Sequence, residues 1–164
     1  MTRVGLIVNP IAGMGGSVGL KGTDGEMAER ARELGASPVT PDRTAAFLTH
    51  VEHREAITWL AAPAEMGADH LATEELDHTV VGEATWGEGS TSAEDTRRIA
   101  RKMVQVGADL VVFVGGDGTA RDIYDAVETK VPVVGVPAGV KVYSAAFAYS
   151  PRAAAGMVDA FCEG

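Results

Sequence analysis

Short apolar runs alternate along this chain with longer stretches in which apolar residues recur at helical spacing. Val4-Gly-Leu-Ile-Val8, Ala56–Ala61, His78–Gly82, Leu110–Val114 and Val131–Val136 read as strands. Runs that are apolar throughout, rather than alternating, suit strands buried on both faces. Pro132 belongs among the first residues of its strand, because proline cannot donate to a ladder. Helices are predicted around Gly25–Leu34, over about Asp42–Val51 behind Pro41, and over Ala64–Leu76 with an interruption near Gly67. Another opens at Thr91-x-x-Glu94 and carries Ile99, Met103 and Val106 at i, i+4 and i+7. A further helix places Ala120, Ile123, Tyr124 and Val127 on one face, and the last runs from Ser150-Pro151 to about Cys162. Strands separated by helices imply βαβ units, so the predicted fold class is α/β: a three-layer α/β/α arrangement around a mostly parallel sheet. Trp86–Ser90 reads as a flexible surface loop.

One junction stands apart. The run Leu110–Val114 stops at Gly115-Gly116-Asp117-Gly118-Thr119 and passes straight into a helical pattern. Glycine permits a sharp turn and a close approach of backbone to ligand. Thr119 with Asp122 has the spacing of a helix N-terminal cap. Unpaired amides at such a helix start favour phosphate. Asp117 would then sit at the carboxyl end of a strand, where open α/β sheets bind their ligands. Two more glycine-bearing segments, Gly13–Gly25 and Gly135–Lys141, are predicted to converge on the same edge. Neither a Walker A sequence nor a GxGxxG fingerprint is present, so a P-loop enzyme and an ordinary dinucleotide dehydrogenase are both excluded.

Gly115-Gly116-Asp117-Gly118-Thr119 resembles the signature of the superfamily of NAD kinases, diacylglycerol and sphingosine kinases and 6-phosphofructokinases. Asn9–Gly16, Val18–Gly25, Thr91–Thr96 and Pro137–Lys141 resemble the archaeal-type ATP-NAD kinase group, which includes AcoX-related proteins. The resemblance implies a Rossmann-like NAD kinase N-terminal domain over residues 1–164, without the β-rich domain that follows it in the family. It implies ATP, NAD and Mg²⁺ as ligands, polyphosphate as an alternative donor, and transfer of a phosphoryl group to the 2′-hydroxyl of NAD. Asp117 would accept the proton of that hydroxyl or help hold Mg²⁺. A lipid or small-metabolite kinase of the same superfamily, and a nucleotide-binding module without catalysis, are the alternative readings. A homodimer follows only by analogy with related proteins.

The remaining candidates serve phosphate. Gly13, Gly15, Gly16, Gly115, Gly116 and Gly118 would present backbone, and Thr119 would act first as cap and second as phosphate donor. Lys21 and Lys141 are two of only four lysines and lie in or beside glycine-rich loops, as a triphosphate requires. Arg121 and Asp122 are near enough to the helix start to reach a ligand, or to form a surface pair. Asn9 either fixes the loop that follows it or touches nucleotide, while Asp95, Thr96 and Ser144 are read mainly as helix-capping residues.

Charge and composition narrow the partners. A net charge of −9 without a basic stripe argues against nucleic acid and membrane surfaces, and small-molecule nucleotides are the partners the resemblance implies. A strand pattern beginning at Val4 leaves no room for a signal peptide, and one cysteine, Cys162, suits a reducing cytoplasm. His50 and His53 would share a helix face, but no cysteine or carboxylate pattern joins them in a zinc site. No serine lies in a nucleophile elbow.

Overall fold

The computed structural model describes residues 1–11, 39–85, 91–138, 147–148 and 150–164. Its strands are β1 (Arg3–Val8), β2 (Thr58–Ala61), β3 (His78–Val80), β4 (Leu110–Gly115) and β5 (Val133–Pro137). They form one sheet in the order β3-β2-β1-β4-β5, and every neighbouring pair is parallel. The helices are α1 (Thr40–His50), α2 (Ala68–Thr73), α3 (Ala93–Gln105), α4 (Asp117–Val127) and α5 (Pro151–Glu163). The predicted helix near Gly25–Leu34 and the Trp86–Ser90 loop lie outside the described residues.

The strands are apolar on both sides because both sides are covered. Leu6, Val8, Val112 and Val114 pack with Phe47 and Leu48 of α1 and Val158 of α5. Ile7, Val111 and Phe113 face the other way, toward Ile99 and Met103 of α3 and Ile123 of α4. This alternation is the period-two geometry of a strand read against two helical layers. β1 and β4 lie at the centre, in register from Val4↔Leu110 to Val8↔Val114.

Local chemistry shifts several boundaries. Ala56 ends a short 3₁₀ turn, Arg54–Ala56, closed by the Trp59 indole N–H donating to the Arg54 carbonyl at 2.8 Å, so β2 starts only at Thr58. Thr91-x-x-Glu94 is displaced by one residue: Ser92 is the cap, and a reciprocal capping box joins it to Asp95. Both carboxylate oxygens have work there, since the backbone N–H of Ser92 donates to Asp95 Oδ2 at 2.9 Å and Arg98 reaches Oδ1 at 3.3 Å. Val106 is the C-cap of α3 and, partly buried, packs against the cluster that holds Ile99 and Met103. Tyr124 is 43% exposed and leaves the face that Ala120, Ile123 and Val127 bury. Val131 and Pro132 precede β5. The last helix begins as its sequence requires: Ser150 Oγ accepts from the Ala153 amide at 3.1 Å and Pro151 follows.

Candidate functional site

β2 and β3 extend the sheet to one side of β1, whereas β4 and β5 extend it to the other. The helices α1 and α4 accordingly pack on opposite faces. The carboxyl ends of β1 and β4 flank the crevice this reversal opens, the place where such sheets bind ligands. Asn9 lies at the end of β1, and Gly115–Thr119 at the end of β4.

Asn9 makes three bonds here, two of which join these ends. The Asn9 amide N–H donates to the Val114 carbonyl at 2.9 Å, continuing the β1–β4 ladder one residue past the strand. Asn9 Oδ1 accepts from the Ile11 amide at 3.1 Å, turning the chain as asparagine commonly does. Asn9 Nδ2 donates to Thr119 Oγ1 at 3.1 Å across 110 residues of sequence. On the other flank the Ala138 amide donates to the Gly115 carbonyl at 3.0 Å, tying the end of β5 to that of β4. Of the two roles open to Asn9 in the sequence, fixing the loop is the one these bonds perform.

Thr119 is not the cap. Helix α4 starts at Asp117 with Gly116 as N-cap and has no side-chain cap bond. Thr119 lies one turn inside, 4% exposed, where its side chain occupies the space a Cβ on Gly115 would need. The strand runs into the helix without the extra residues a threonine cap needs, and the hydroxyl oxygen accepts from Asn9 instead. Gly115 is therefore glycine for packing. Gly116 and Gly118 differ: a methyl on either would meet no described residue within 4 Å. Asp117, half-buried between them, is the first residue of α4, where the helix dipole favours a negative group.

The neighbours sort plainly. Arg121 is exposed on α4. Asp122 is drawn away from the helix start by Arg97 of α3, whose Nη1 donates to Oδ1 at 2.7 Å. Gly13, Gly15, Gly16, Lys21, Lys141 and Ser144 lie outside the described residues. Asp95 serves α3: burial opposes its charge, but Ser92 and Arg98 outweigh that and hold its carboxyl below the ordinary range. Thr96 sits in the first turn of α3, its hydroxyl donating to the Ser92 carbonyl at 3.4 Å.

Each histidine has a local partner. His50 contacts the Ala46 carbonyl, His70 that of Glu65 and His78 that of Leu76, while His53 pairs with Glu163 at 3.1 Å. His50 ends α1, so His53 does not share its helical face. Among the described residues no group of three His, Cys, Asp or Glu side chains could hold a metal ion. Cys162 lies half-buried against the core, and burial pushes its thiol up. No helix of the described residues is long and apolar enough to cross a membrane. A cavity of about 450 Å³ runs between α1 and α5, lined by Arg43, His50, Ser150 and Arg152. It lies on the face opposite α4, so the chemistry argued from Asp117 does not belong to it.

The sequence pattern missed the reason for Gly115 and the partner of Thr119. Their i, i+4 spacing across a strand–helix junction was the available signal for the first; only the fold reveals the second.

Fold and turn together define a parallel α/β domain with an acidic glycine turn at its switch point. The model of the ATP-NAD kinase N-terminal domain family matches residues 4–164, and the chain belongs to that family. Membership points to phosphotransfer of the kinase type. Among solved structures the chain is similar to UDP-GlcNAc 2-epimerase from Neisseria meningitidis, in a crystal structure bound to UDP-GlcNAc. That likeness has 13% identity and a TM-score of 0.43, and covers 88% of this chain but 34% of the epimerase chain. The comparison with curated proteins finds no match.

Proposed function

We propose that this chain is the nucleotide-binding domain of an NAD kinase of the archaeal, AcoX-related type, transferring a phosphoryl group from ATP or polyphosphate to the 2′-hydroxyl of NAD. The observation that carries this reading is Asp117, the first residue of α4 at the switch point, between two glycines whose missing side chains meet no other described residue within 4 Å. In the reaction the ribose 2′-oxygen bonds to the terminal phosphorus and the bridging β–γ P–O bond breaks. ADP leaves, and the 2′-hydroxyl proton passes to the Asp117 carboxylate. Such transfer asks a protein mainly to position anionic groups and offset their charge. The start of α4, whose N-cap Gly116 has no side chain to cap it, offers that positioning.

Mg²⁺ fits the donor set in one way. A single carboxylate at the turn matches a cation that is held chiefly by substrate phosphates and water, and matches no all-protein cage. Bound with the triphosphate, it would offset charge on the phosphates, with Asp117 as the carboxylate among the described residues of the turn that would hold it.

The test is direct. The full chain is incubated with Mg-ATP and NAD, and NADP is measured enzymatically beside the Asp117→Asn variant. NADP from the wild type and none from the variant is the expected result. ADP release that ignores NAD but responds to a lipid or sugar acceptor would replace the acceptor, and an active Asp117→Asn would remove the carboxylate from the chemistry.

A further inference from the structure

Among the described residues, the threonines that lie past the first residue of a helix behave alike, with one exception; Thr40, the first residue of α1, keeps a buried hydroxyl without a bond partner. Thr44 donates to the Thr40 carbonyl at 2.7 Å, Thr73 to Asp69 at 2.9 Å, Thr96 to Ser92 at 3.4 Å, and Thr49 to Ala46 at 3.2 Å. Each hydroxyl proton is spent on the carbonyl three or four residues back, the ordinary habit of a helical threonine. Thr119 instead accepts, from Asn9. The carbonyl four residues before it, that of Gly115, receives the Ala138 amide.

The sense of the Asn9–Thr119 bond is fixed by chemistry. A backbone N–H can only donate, so the Ile11 amide selects the oxygen of the Asn9 carboxamide. The NH₂ group must then face Thr119, and it too can only donate. Thr119 Oγ1 is forced to accept, and its own proton is not consumed by Asn9.

We propose that Asn9 is a positioning residue that sets the donor sense of Thr119, keeping its hydroxyl proton for an acceptor brought to the glycine turn. Phosphate oxygens, which only accept, are such a group. The inference deepens the proposed function and rests on it for the identity of the ligand. It adds a specificity logic: the turn is wired through β1 to offer a donor where an ordinary helical threonine offers none.

Asn9→Asp tests the wiring. It keeps shape and the acceptor for Ile11 but replaces the donor facing Thr119 with an acceptor, so Thr119 must turn its proton onto residue 9. Mg-ATP binding is measured by calorimetry in the wild type, Asn9→Asp, Thr119→Val and the double variant, with thermal unfolding as a check on fold. Asn9→Asp should weaken binding by about tenfold or more, the scale of one charge-assisted hydrogen bond. In the Thr119→Val background the same exchange should weaken it markedly less, leaving only the effect of the added charge. Equal losses in both backgrounds overturn the proposal. Should Asn9→Asp fail to fold, Thr119→Val against Thr119→Ser decides: weakened binding in the first and retained binding in the second support it, and wild-type affinity in Thr119→Val overturns it. Mg-ATP binding without NADP formation would sink the NAD acceptor and leave this cycle readable. A wild type that does not bind Mg-ATP overturns the inference together with the nucleotide reading.

Discussion

The glycines of the packed sheet and the glycines of the β4–α4 turn answer to different demands. A methyl on Gly5 would lie 2.5 Å from Met103 Sδ, and one on Gly135 would lie 2.7 Å from both Phe113 Cζ and Phe147 Cδ1. On Gly67 it would meet backbone: the Leu6 carbonyl at 2.8 Å and the Ala62 amide at 3.0 Å. These residues are small because the protein itself fills the space. Gly116 and Gly118 face none of the described residues within 4 Å, so packing among those residues does not require them. Openness alone is not a site, however. Gly156, inside α5, is equally unobstructed and has no Asp117 or switch point beside it. The absence of described neighbours becomes informative where it coincides with a glycine N-cap and a carboxylate at a helix start.

The comparison breaks most sharply at Asp117. If the turn serves chemistry and not folding, Asp117→Asn should reduce kcat by about 10²–10⁴-fold, the usual worth of a positioned acid or base. Its thermal unfolding should stay close to that of the wild type. A variant that unfolds early would make the carboxylate a structural part of the turn.

On the packed side, Gly67→Ala should lower unfolding free energy by about 1–3 kcal/mol, as overpacking does. The obstructing atoms are main chain and cannot swing aside. Gly5→Ala should cost less, because the obstructing Met103 side chain is flexible. Denaturant titration of the two variants checks the order; a Gly67→Ala protein as stable as the wild type would show that the Ala62–Ala68 turn yields more than its bonds suggest.

Gly118 and Gly156 form a matched pair, both helical and both open. Alanine at either should stabilise by about 0.5–1 kcal/mol, the helix-propensity difference. Only Gly118→Ala should weaken nucleotide binding. Equal binding by the two variants would mean that the space beside Gly118 is not reserved for a ligand.

How much of this was legible in advance depends on the range of the interaction. The central strands were visible because burial on both faces leaves apolar runs, and Ser150-Pro151 was visible because a cap is written within four residues. Thr91-x-x-Glu94 and Ser92-x-x-Asp95 are equally good capping sequences, and only geometry chooses the second. The reading of Thr119 as a cap failed for a related reason. Its partner Asn9 is 110 positions away, and no local pattern reports that bond. Asp122 was likewise claimed by Arg97, from the neighbouring helix. The position of Asp117 at the end of β4 was legible, because its glycine setting is local; what holds that setting in place was not.

The smallest expected effect concerns pH and separates scaffold from turn. His70 is half-buried, and its ring contacts the Glu65 carbonyl at 3.1 Å. Burial pushes its pKa below the ordinary 6.5, outweighing the raising effect of the Glu65 carbonyl and Asp69. The unfolded chain therefore takes up a proton on this ring at a higher pH than the folded chain does. His70 contributes stability fully above pH 6.5, and that contribution is lost as pH falls through the folded value. The exposed His53–Glu163 pair works in the opposite direction: its pKa is raised, so its contribution is present below 6.5 and lost as pH rises. Solvent screening keeps that pair weak. Asp95, held low, changes stability only at more acidic pH. His70→Gln, which keeps a donor for the Glu65 carbonyl, should flatten the decline in stability below pH 6.5. Mg-ATP binding should follow the same pH profile in His70→Gln and wild type. A difference between those two binding profiles would mean that the packed layer and the glycine turn are not separable.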